Sequence, residues 1–151
     1  MNNSWKHLIV RLVTIGGAYM LMVTTVTAQT PLGRLTVHTG QLRHALGKVV
    51  VCLYREQDEL PKYPFRQESS VIVDGSSTVI FEDLPFGSYA AILYHDENNN
   101  GILDHKFLLP AEPMGFSNHW KLTLLSGMPD FQKLRFTFSE QSLTLSITTN
   151  N

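Results

Sequence analysis

The sequence predicts an all-β protein, a single β-sandwich of about seven or eight short strands. Behind the N-terminal segment, the chain consists of short runs rich in β-branched and aromatic residues, several of which alternate between apolar and polar side chains. No stretch keeps the apolar spacing of a surface helix. Alternation with a period of two places one face of a strand on a core and the other in water. Many such strands without helices are typical of a sandwich or a small barrel.

Residues 1–28 have the pattern of a secretory signal peptide. The start carries Lys6 and Arg11 and no acid, and an apolar and small-residue run then ends in Val-Thr-Ala at Ala28. A membrane-spanning helix needs roughly 20 strongly apolar residues, whereas this run contains four threonines and two glycines. We therefore expect cleavage after Ala28, export to the periplasm or the outside, and no membrane span in the mature chain.

Removal of this segment leaves one domain, residues 29–151. The formal net charge then changes from −1 to −3, because the segment carries two basic residues and no acid. This balance argues against a nucleic-acid binder, which needs a basic face. Cys52 is the only cysteine in the sequence, so an internal disulfide and a multi-cysteine zinc site are excluded. It lies in an apolar run, which predicts a buried thiol.

Eight segments of this domain have the composition of strands. They are Arg34–Thr39, Lys48–Tyr54, Ser70–Val73, Thr78–Phe81, Ser88–His95, His119–Leu124, Lys133–Phe138 and Leu143–Thr148. The second is almost continuously apolar, as expected of a central strand buried on both faces. The segment 56–68 contains two prolines and many charged or amide side chains. It is predicted to be a surface loop, with Tyr63 and Phe65 folded back onto the sheet.

A turn motif between two of these strands favours the sandwich over the barrel. The letters FEDLPFGSYA run from Phe81 to Ala90. Pro85 presets a turn, Gly87 permits a positive φ, and Tyr89 can bury its ring while its hydroxyl makes a hydrogen bond. The order resembles the F-x-x-L-P-x-G-x-Y corner of prealbumin-like and other immunoglobulin-like modules.

The segment DENNNGILD, from Asp96 to Asp104, matches the first nine positions of a calcium-binding loop. A hard cation takes six to eight oxygens, and a chain that curls around it presents every second side chain inward. The predicted ligands are the side chains of Asp96, Asn98, Asn100 and Asp104, the backbone carbonyl of Ile102, and Glu112 as a ligand from outside the loop. Leu103 is expected to point into the core.

The match to an EF-hand stops there. Phe107 stands where an EF-hand has its bidentate glutamate, and flanking helices are not predicted. Asn-Gly is also a strong turn signal, and Asp and Asn favour turns by bonding to their own backbone. A solvated turn without an ion is therefore the alternative to a calcium loop between strands.

Together, these motifs resemble a family of exported bacterial proteins, DUF2141. The resemblance rests on GKVVVCLY, FEDLPFGSYAAILYHDENNNGILD, PAEPMGFSN and GMPDFQKLRF. It implies an extracytoplasmic all-β domain without an assigned activity. The residues that match the family motifs are His95, Asp96, Asn98, Asn100, Gly101, Asp104, Glu112, Gly115, Phe116, Ser117 and Asn118. The segment before Pro110 is shorter than in the family and lacks its glycine, which leaves the spacing from Asp104 to Glu112 open.

The sequence does not favour an enzyme. It contains neither G-x-S-x-G nor H-E-x-x-H, and its histidines are scattered. His95 and Asp96 could join His105 and Glu112 in a transition-metal site once folded, so a metal-dependent hydrolase is the least favoured hypothesis.

The favoured function is a calcium-stabilised binding or structural module that meets an envelope or extracellular partner. The alternative is a carbohydrate- or peptide-binding domain with an aromatic surface, formed by Trp120, Tyr63 and Phe65.

Overall fold

A computed structural model describes residues 30–106, 109–123 and 126–150. The strands are β1 (Leu32–Thr39), β2 (Lys48–Tyr54), β3 (Arg66–Val71), β4 (Ser77–Pro85), β5 (Gly87–Asp96), β6 (His105–Lys106), β7 (Leu109–Pro110), β8 (Met114–Phe116), β9 (Phe136–Phe138), β10 (Ser142–Ser146) and β11 (Thr149–Asn150). Nine of these strands form two packed sheets, and the other two, β6 and β7, form a separate antiparallel pair. The predicted all-β sandwich is confirmed. The predicted signal peptide, residues 1–28, lies outside the described residues.

The smaller sheet has the order β10-β1-β4. Its central strand, β1, runs parallel to β10 and antiparallel to β4. The alternation that predicted β1 places Leu35 and Val37 in the core, while His38 is exposed.

The larger sheet has the order β11-β8-β5-β2-β3, with β9 paired to the start of β5. The antiparallel register of β2 and β5 runs from Tyr54 opposite Ala90 to Lys48 opposite Asp96. The loop that precedes β2 therefore lies beside the end of β5, where the candidate calcium loop begins.

Both faces of this sheet are buried along β2 and β5. On one face, Val49, Val51 and Leu53 join the core between the two sheets. On the other face, Val50, Cys52 and Tyr54 join a second cluster. That outer cluster is covered by a helical turn, α1 (Phe131–Leu134), and by partly buried side chains of irregular segments, which are Leu60, Leu103, Trp120 and Leu122. The prediction of a central strand buried on both faces is confirmed.

The single cysteine lies in the outer cluster, as a buried thiol. Cys52 is 5% exposed, and its Sγ donates to Oε1 of Gln67 at 3.4 Å. Burial raises the pKa of the Cys52 thiol to about 11. The predicted burial of Cys52 is confirmed.

The corner between β4 and β5 has the predicted tyrosine but not the predicted glycine geometry. The buried Tyr89 donates its hydroxyl to the backbone oxygen of Pro85 at 2.7 Å. Gly87 does not have a positive φ, and the left-handed residue is Asp83, with φ of 51°. β4 extends to Pro85 and β5 begins at Gly87, so Gly87 already belongs to a strand and does not adopt a left-handed backbone.

The predicted strand His119–Leu124 is wrong for residues 119–123, and Leu124 lies outside the described residues. Asn118 and His119 both have φ of 56°, which ends the extended backbone, and Ser117–His119 forms a short 3-10 turn instead. Trp120 and Leu122 then cover the outer cluster from an irregular segment. An apolar run can therefore line a sheet face without pairing in the sheet.

The predicted strand Lys133–Phe138 is half right. A carboxylate oxygen of Asp130 accepts a hydrogen bond from the backbone N–H of Lys133 at 3.0 Å, which caps the single turn of α1, and the strand β9 begins only at Phe136. The sequence predicted no helix, and this single turn of α1 corrects that prediction. This turn is too short to span a membrane, and so is every other helix of the described residues.

The loop predicted at 56–68 is shorter than expected, because β3 already begins at Arg66. Phe65 packs against the inner core, as predicted, and stacks on Tyr89 with ring centroids 6.1 Å apart. Tyr63 does not fold back onto the sheet, since it is 70% exposed.

Candidate functional site

The candidate calcium loop begins on the last residue of β5. Asp96 is fully buried, with 0% exposure, although its side chain is a carboxylate. Its Oδ1 accepts from the backbone N–H of Asn100 at 3.1 Å, and its Oδ2 accepts from that of Gly101 at 2.9 Å. A buried carboxylate needs such partners, because an isolated buried charge is strongly disfavoured. Asp96 therefore holds the loop closed from inside.

Two asparagines give the loop its shape. Oδ1 of Asn98 accepts from the N–H of Asn100 at 2.9 Å, and Oδ1 of Asn100 accepts from the N–H of Ile102 at 2.9 Å. Gly101 follows in the left-handed region with φ of 80°, where glycine carries no Cβ penalty. These are the side-chain-to-backbone bonds by which Asn and Asp favour turns, so the local sequence accounts for the fold of the loop.

The side chains of the loop converge on Asp104. Nδ2 of Asn98 donates to Oδ2 of Asp104 at 2.6 Å, and Nδ2 of Asn100 lies 3.2 Å from both oxygens of that carboxylate. The side chains of Asn98, Asn100 and Asp104 therefore meet on one side of the loop. Ile102, whose carbonyl was predicted as a ligand, has an exposed side chain.

Glu112 lies at the loop, as predicted for the ligand from outside it. Its Oε1 accepts from the N–H of Glu97 at 3.0 Å and its Oε2 from the N–H of Asp104 at 3.2 Å, so the side chain bridges the two ends of the loop. A second link joins the N–H of Ala111 to the carbonyl of Asp104 at 2.8 Å. The spacing from Asp104 to Glu112, which the sequence left open, therefore lets Glu112 reach the loop.

Burial dominates the electrostatics of Glu112. The side chain is 7% exposed, and this burial raises the pKa of Glu112 above its usual range. The two backbone N–H donors lower the pKa, while the carboxylates of Asp96 and Asp104 raise it. A carboxylate in this state gains from a nearby cation, because the cation favours its charged form.

One cation from the chain already faces the site. Nζ of Lys48 lies 3.5 Å from Oδ2 of Asp96, which is the pair set by the register of β2 and β5. Tyr94, also on β5, donates its hydroxyl to the carbonyl of Gly101 in the loop at 3.1 Å. Burial raises the pKa of Tyr94 to about 12. Leu103 packs against the outer cluster, as predicted.

The histidine site predicted from the sequence does not form as expected. Successive residues of a strand point to opposite faces, so His95 faces away from Asp96. His95 is 1% exposed, whereas His105 is exposed on β6. The structure instead brings His95 together with His44 and Glu97, whose potential ligand atoms all lie within 4.8 Å of one another.

Sequence reasoning missed His44 because it lies far from Glu97 along the chain. Nε2 of His44 is 3.1 Å from Oε1 of Glu97, and the imidazole centroids of His44 and His95 are 4.9 Å apart. The one available signal was the pairing of β2 with β5, which brings the segment before Lys48 to the end of β5.

The three aromatic residues predicted as a binding surface are divided. Phe65 packs in the inner core, with the guanidinium of Arg55 4.0 Å from its ring centroid. Trp120 packs on the outer cluster, edge-on to Phe116. Because these clusters lie on different faces of the larger sheet, Trp120 and Phe65 do not contribute to one surface.

The motif Gly115–Asn118 has a structural role in the fold, as interpreted from the sequence. Oγ of Ser117 accepts from the N–H of Ala91 at 2.9 Å and donates to the carbonyl of Leu134 at 2.6 Å. A Cβ on Gly115 would lie 2.7 Å from Ile147, so β8 can approach the C-terminal strands only with a glycine there.

A family model described as an uncharacterized protein conserved in bacteria (DUF2141) matches residues 37–146. The match includes the tyrosine corner, the Asp96–Asp104 loop, Glu112 and Ser117. No curated protein and no solved structure shows a significant match to the chain. The family resemblance carried by the motifs is confirmed.

Proposed function

The chain belongs to the DUF2141 family, and we propose that it is an exported β-sandwich stabilised by one calcium ion, acting as a binding or structural module of the cell envelope. Export is proposed from the basic start and apolar run of residues 1–28. The proposed role is not catalytic. The ion would be held by the Asp96–Asp104 loop together with Glu112.

One observation carries the calcium proposal, which is that five oxygen-bearing side chains meet at one loop. They are Asp96, Asn98, Asn100, Asp104 and Glu112. Two of the three carboxylates, those of Asp96 and Glu112, are buried, and the ammonium of Lys48 lies beside Asp96. A plain turn does not need a second buried carboxylate from a distant segment, whereas a hard cation does need additional oxygen ligands.

Calcium binding requires two local adjustments. The amides of Asn98 and Asn100 present nitrogen to Asp104, so each must rotate to present its oxygen to an ion. The carboxylates of Asp96 and Glu112 must also turn towards the ion, because each now accepts hydrogen bonds from backbone N–H groups of the loop. Asn98 and Asn100 are exposed, which leaves their side chains room to turn.

The expected affinity is modest. Amide ligands carry no charge, and extracellular calcium modules bind with Kd of about 10⁻⁴–10⁻³ M. At about 10 mM calcium, such a site stabilises the folded state by about 1.4–2.7 kcal/mol. That gain is large enough to be measured by thermal unfolding.

The test is calcium titration of protein purified after expression of the full chain, followed by calorimetry and thermal unfolding. We expect saturable binding of one ion and a rise in Tm. Asp104→Asn should weaken both effects, because it removes a charged ligand but keeps the side-chain volume. Glu140→Gln is the matched control, since it neutralises an exposed acid away from the loop.

The absence of heat and of a Tm shift with millimolar calcium would overturn the proposal and favour the plain turn. Equal shifts in Asp104→Asn and in the unmodified protein would place the bound ion elsewhere. Magnesium should produce a smaller shift than calcium, because it demands near-ideal octahedral geometry and loses water reluctantly.

A further inference from the structure

We propose that His44, His95 and Glu97 form a second metal site, for a transition-metal ion of the Zn²⁺ class. The three residues come from two segments, the loop before β2 and the end of β5, and their potential ligand atoms lie within 4.8 Å of one another. Two imidazoles and one carboxylate are a ligand set that suits Zn²⁺ and leaves a position open for water or a fourth ligand.

One distance in the cluster already matches a metal shell. Nε2 of His44 and Oε1 of Glu97 are 3.1 Å apart. Two ligands that each lie about 2.0–2.2 Å from a tetrahedral zinc ion are about 3.4 Å apart. The remaining separations, which extend up to 4.8 Å, must shorten when an ion binds. His44 and Glu97 are partly exposed, so their side chains have room to move.

A backbone carbonyl fixes the orientation of the His95 ring. The ring is buried, and Nε2 lies 2.7 Å from the carbonyl oxygen of Leu46. Because a carbonyl only accepts, Nε2 carries the proton and Nδ1 carries the lone pair. Metal-binding histidines commonly donate their second ring nitrogen to a backbone carbonyl in this way, which fixes both tautomer and ring orientation.

A second, independent observation comes from the other ring. Nδ1 of His44 is inaccessible to solvent and has no hydrogen-bond partner among the described residues. A buried polar atom without a partner costs about 1–3 kcal/mol. A simple ion pair with Glu97 leaves this cost in place, since it involves Nε2. A turn of the partly exposed His44 ring that brings Nδ1, instead of Nε2, to the bound ion would remove this cost.

The site is distinct from the calcium loop although the two are adjacent in the chain. Asp96 and Glu97 are consecutive, but the side chain of Asp96 caps the loop while that of Glu97 points to His44. Imidazole nitrogen favours zinc, copper and nickel, whereas the carboxylate and amide oxygens of the loop favour calcium. The two sites should therefore discriminate between the two ions.

The test is titration of the purified protein with Zn²⁺ in saturating calcium, and with Co²⁺ as a spectroscopic probe. We expect one Zn²⁺ per chain and a visible Co²⁺ absorption band. His44→Ala and Glu97→Gln should each weaken Zn²⁺ binding by at least about tenfold, since loss of even an outer-shell partner costs about 10–100-fold. Both residues are partly exposed, so the variants should fold, and a cooperative urea-unfolding transition like that of the unmodified protein, measured in chelator, would show that they do.

His38→Ala is the matched control, because His38 is an exposed histidine on β1. Unchanged Zn²⁺ affinity in this variant supports the proposal. Three results would overturn it: no saturable Zn²⁺ binding, equal affinity in His44→Ala and the unmodified protein, or an equal loss in Asp104→Asn, which would mean that zinc occupies the calcium loop. None of these results depends on whether calcium itself binds.

Discussion

The substitution Asp96→Ala tests how the loop is held. Asp96 is fully buried and accepts two backbone hydrogen bonds, from Asn100 and Gly101, besides facing the ammonium of Lys48. Hydrogen bonds to a charged group contribute about 1.5–3 kcal/mol each, and removing one partner of a buried pair costs about 3–5 kcal/mol. These contributions overlap, and Lys48 remains partly exposed to water. We therefore expect a loss of about 3–4 kcal/mol in the free energy of unfolding.

Asp96→Asn separates the charge from the hydrogen bonds. Asparagine keeps the volume and one carbonyl acceptor, so it can still accept from one of the two N–H groups. About half of the alanine loss is expected, roughly 1–2 kcal/mol. A loss as large as that of Asp96→Ala would mean that the charge, and not the acceptor geometry, holds the loop.

The assay is urea unfolding followed by tryptophan fluorescence, first in chelator and then with calcium. Trp120 packs edge-on against Phe116 in the outer cluster, so its emission should report loss of the fold. A loss below about 1 kcal/mol for Asp96→Ala in chelator would refute the hydrogen-bond reasoning. Full retention of the calcium-dependent gain in Asp96→Ala would refute the role of Asp96 as a ligand.

Two further predictions concern the outer face of the larger sheet. Ser117→Ala leaves the buried N–H of Ala91 without its acceptor and should lower the free energy of unfolding, measured in urea, by about 1–3 kcal/mol. Ser139→Ala, at an exposed position, is the control and should have little effect. An equal effect of both substitutions would contradict the role of Ser117 as the acceptor. Burial raises the pKa of Cys52 from 9.0 to about 11. Between these two pH values the folded chain keeps the thiol proton while the unfolded chain loses it, so the free energy of unfolding should fall as the pH rises through this range. Alkylation by iodoacetamide should accordingly be slow in the folded protein near neutral pH and fast in urea, and fast labelling of the folded protein would contradict the burial.

The parts of the fold that sequence reasoning located are those with strong local signals. The run Lys48–Tyr54 is apolar throughout because both of its faces are covered, and the structure covers both. The loop Asp96–Asp104 was located because its asparagines bond to their own backbone, an effect of short range. In both cases the signal that locates the element lies within the segment itself.

The wrong or missing predictions concern residues whose contacts are distant in the sequence, or whose backbone adopts the left-handed region. The segment His119–Leu124 has the composition of a strand, but two left-handed residues before Trp120 redirect it over the outer cluster. His44 carries no local signal, since its neighbours His95 and Glu97 are brought to it only by the pairing of β2 with β5. Such contacts require the topology, which local periodicity does not provide.

The parallel pairing of β1 with β10 has a consequence for the order in which the chain can fold. Arg34 lies opposite Ser142, 108 residues later, and the register continues to His38 opposite Ser146. A parallel pair cannot form as a hairpin, and contacts of such high sequence separation slow folding. The smaller sheet therefore cannot be completed until β10 has been synthesised and brought beside β1. Until then β1 has an unpaired edge, which other chains can join, so truncation before Ser142 should favour aggregation over a smaller folded product.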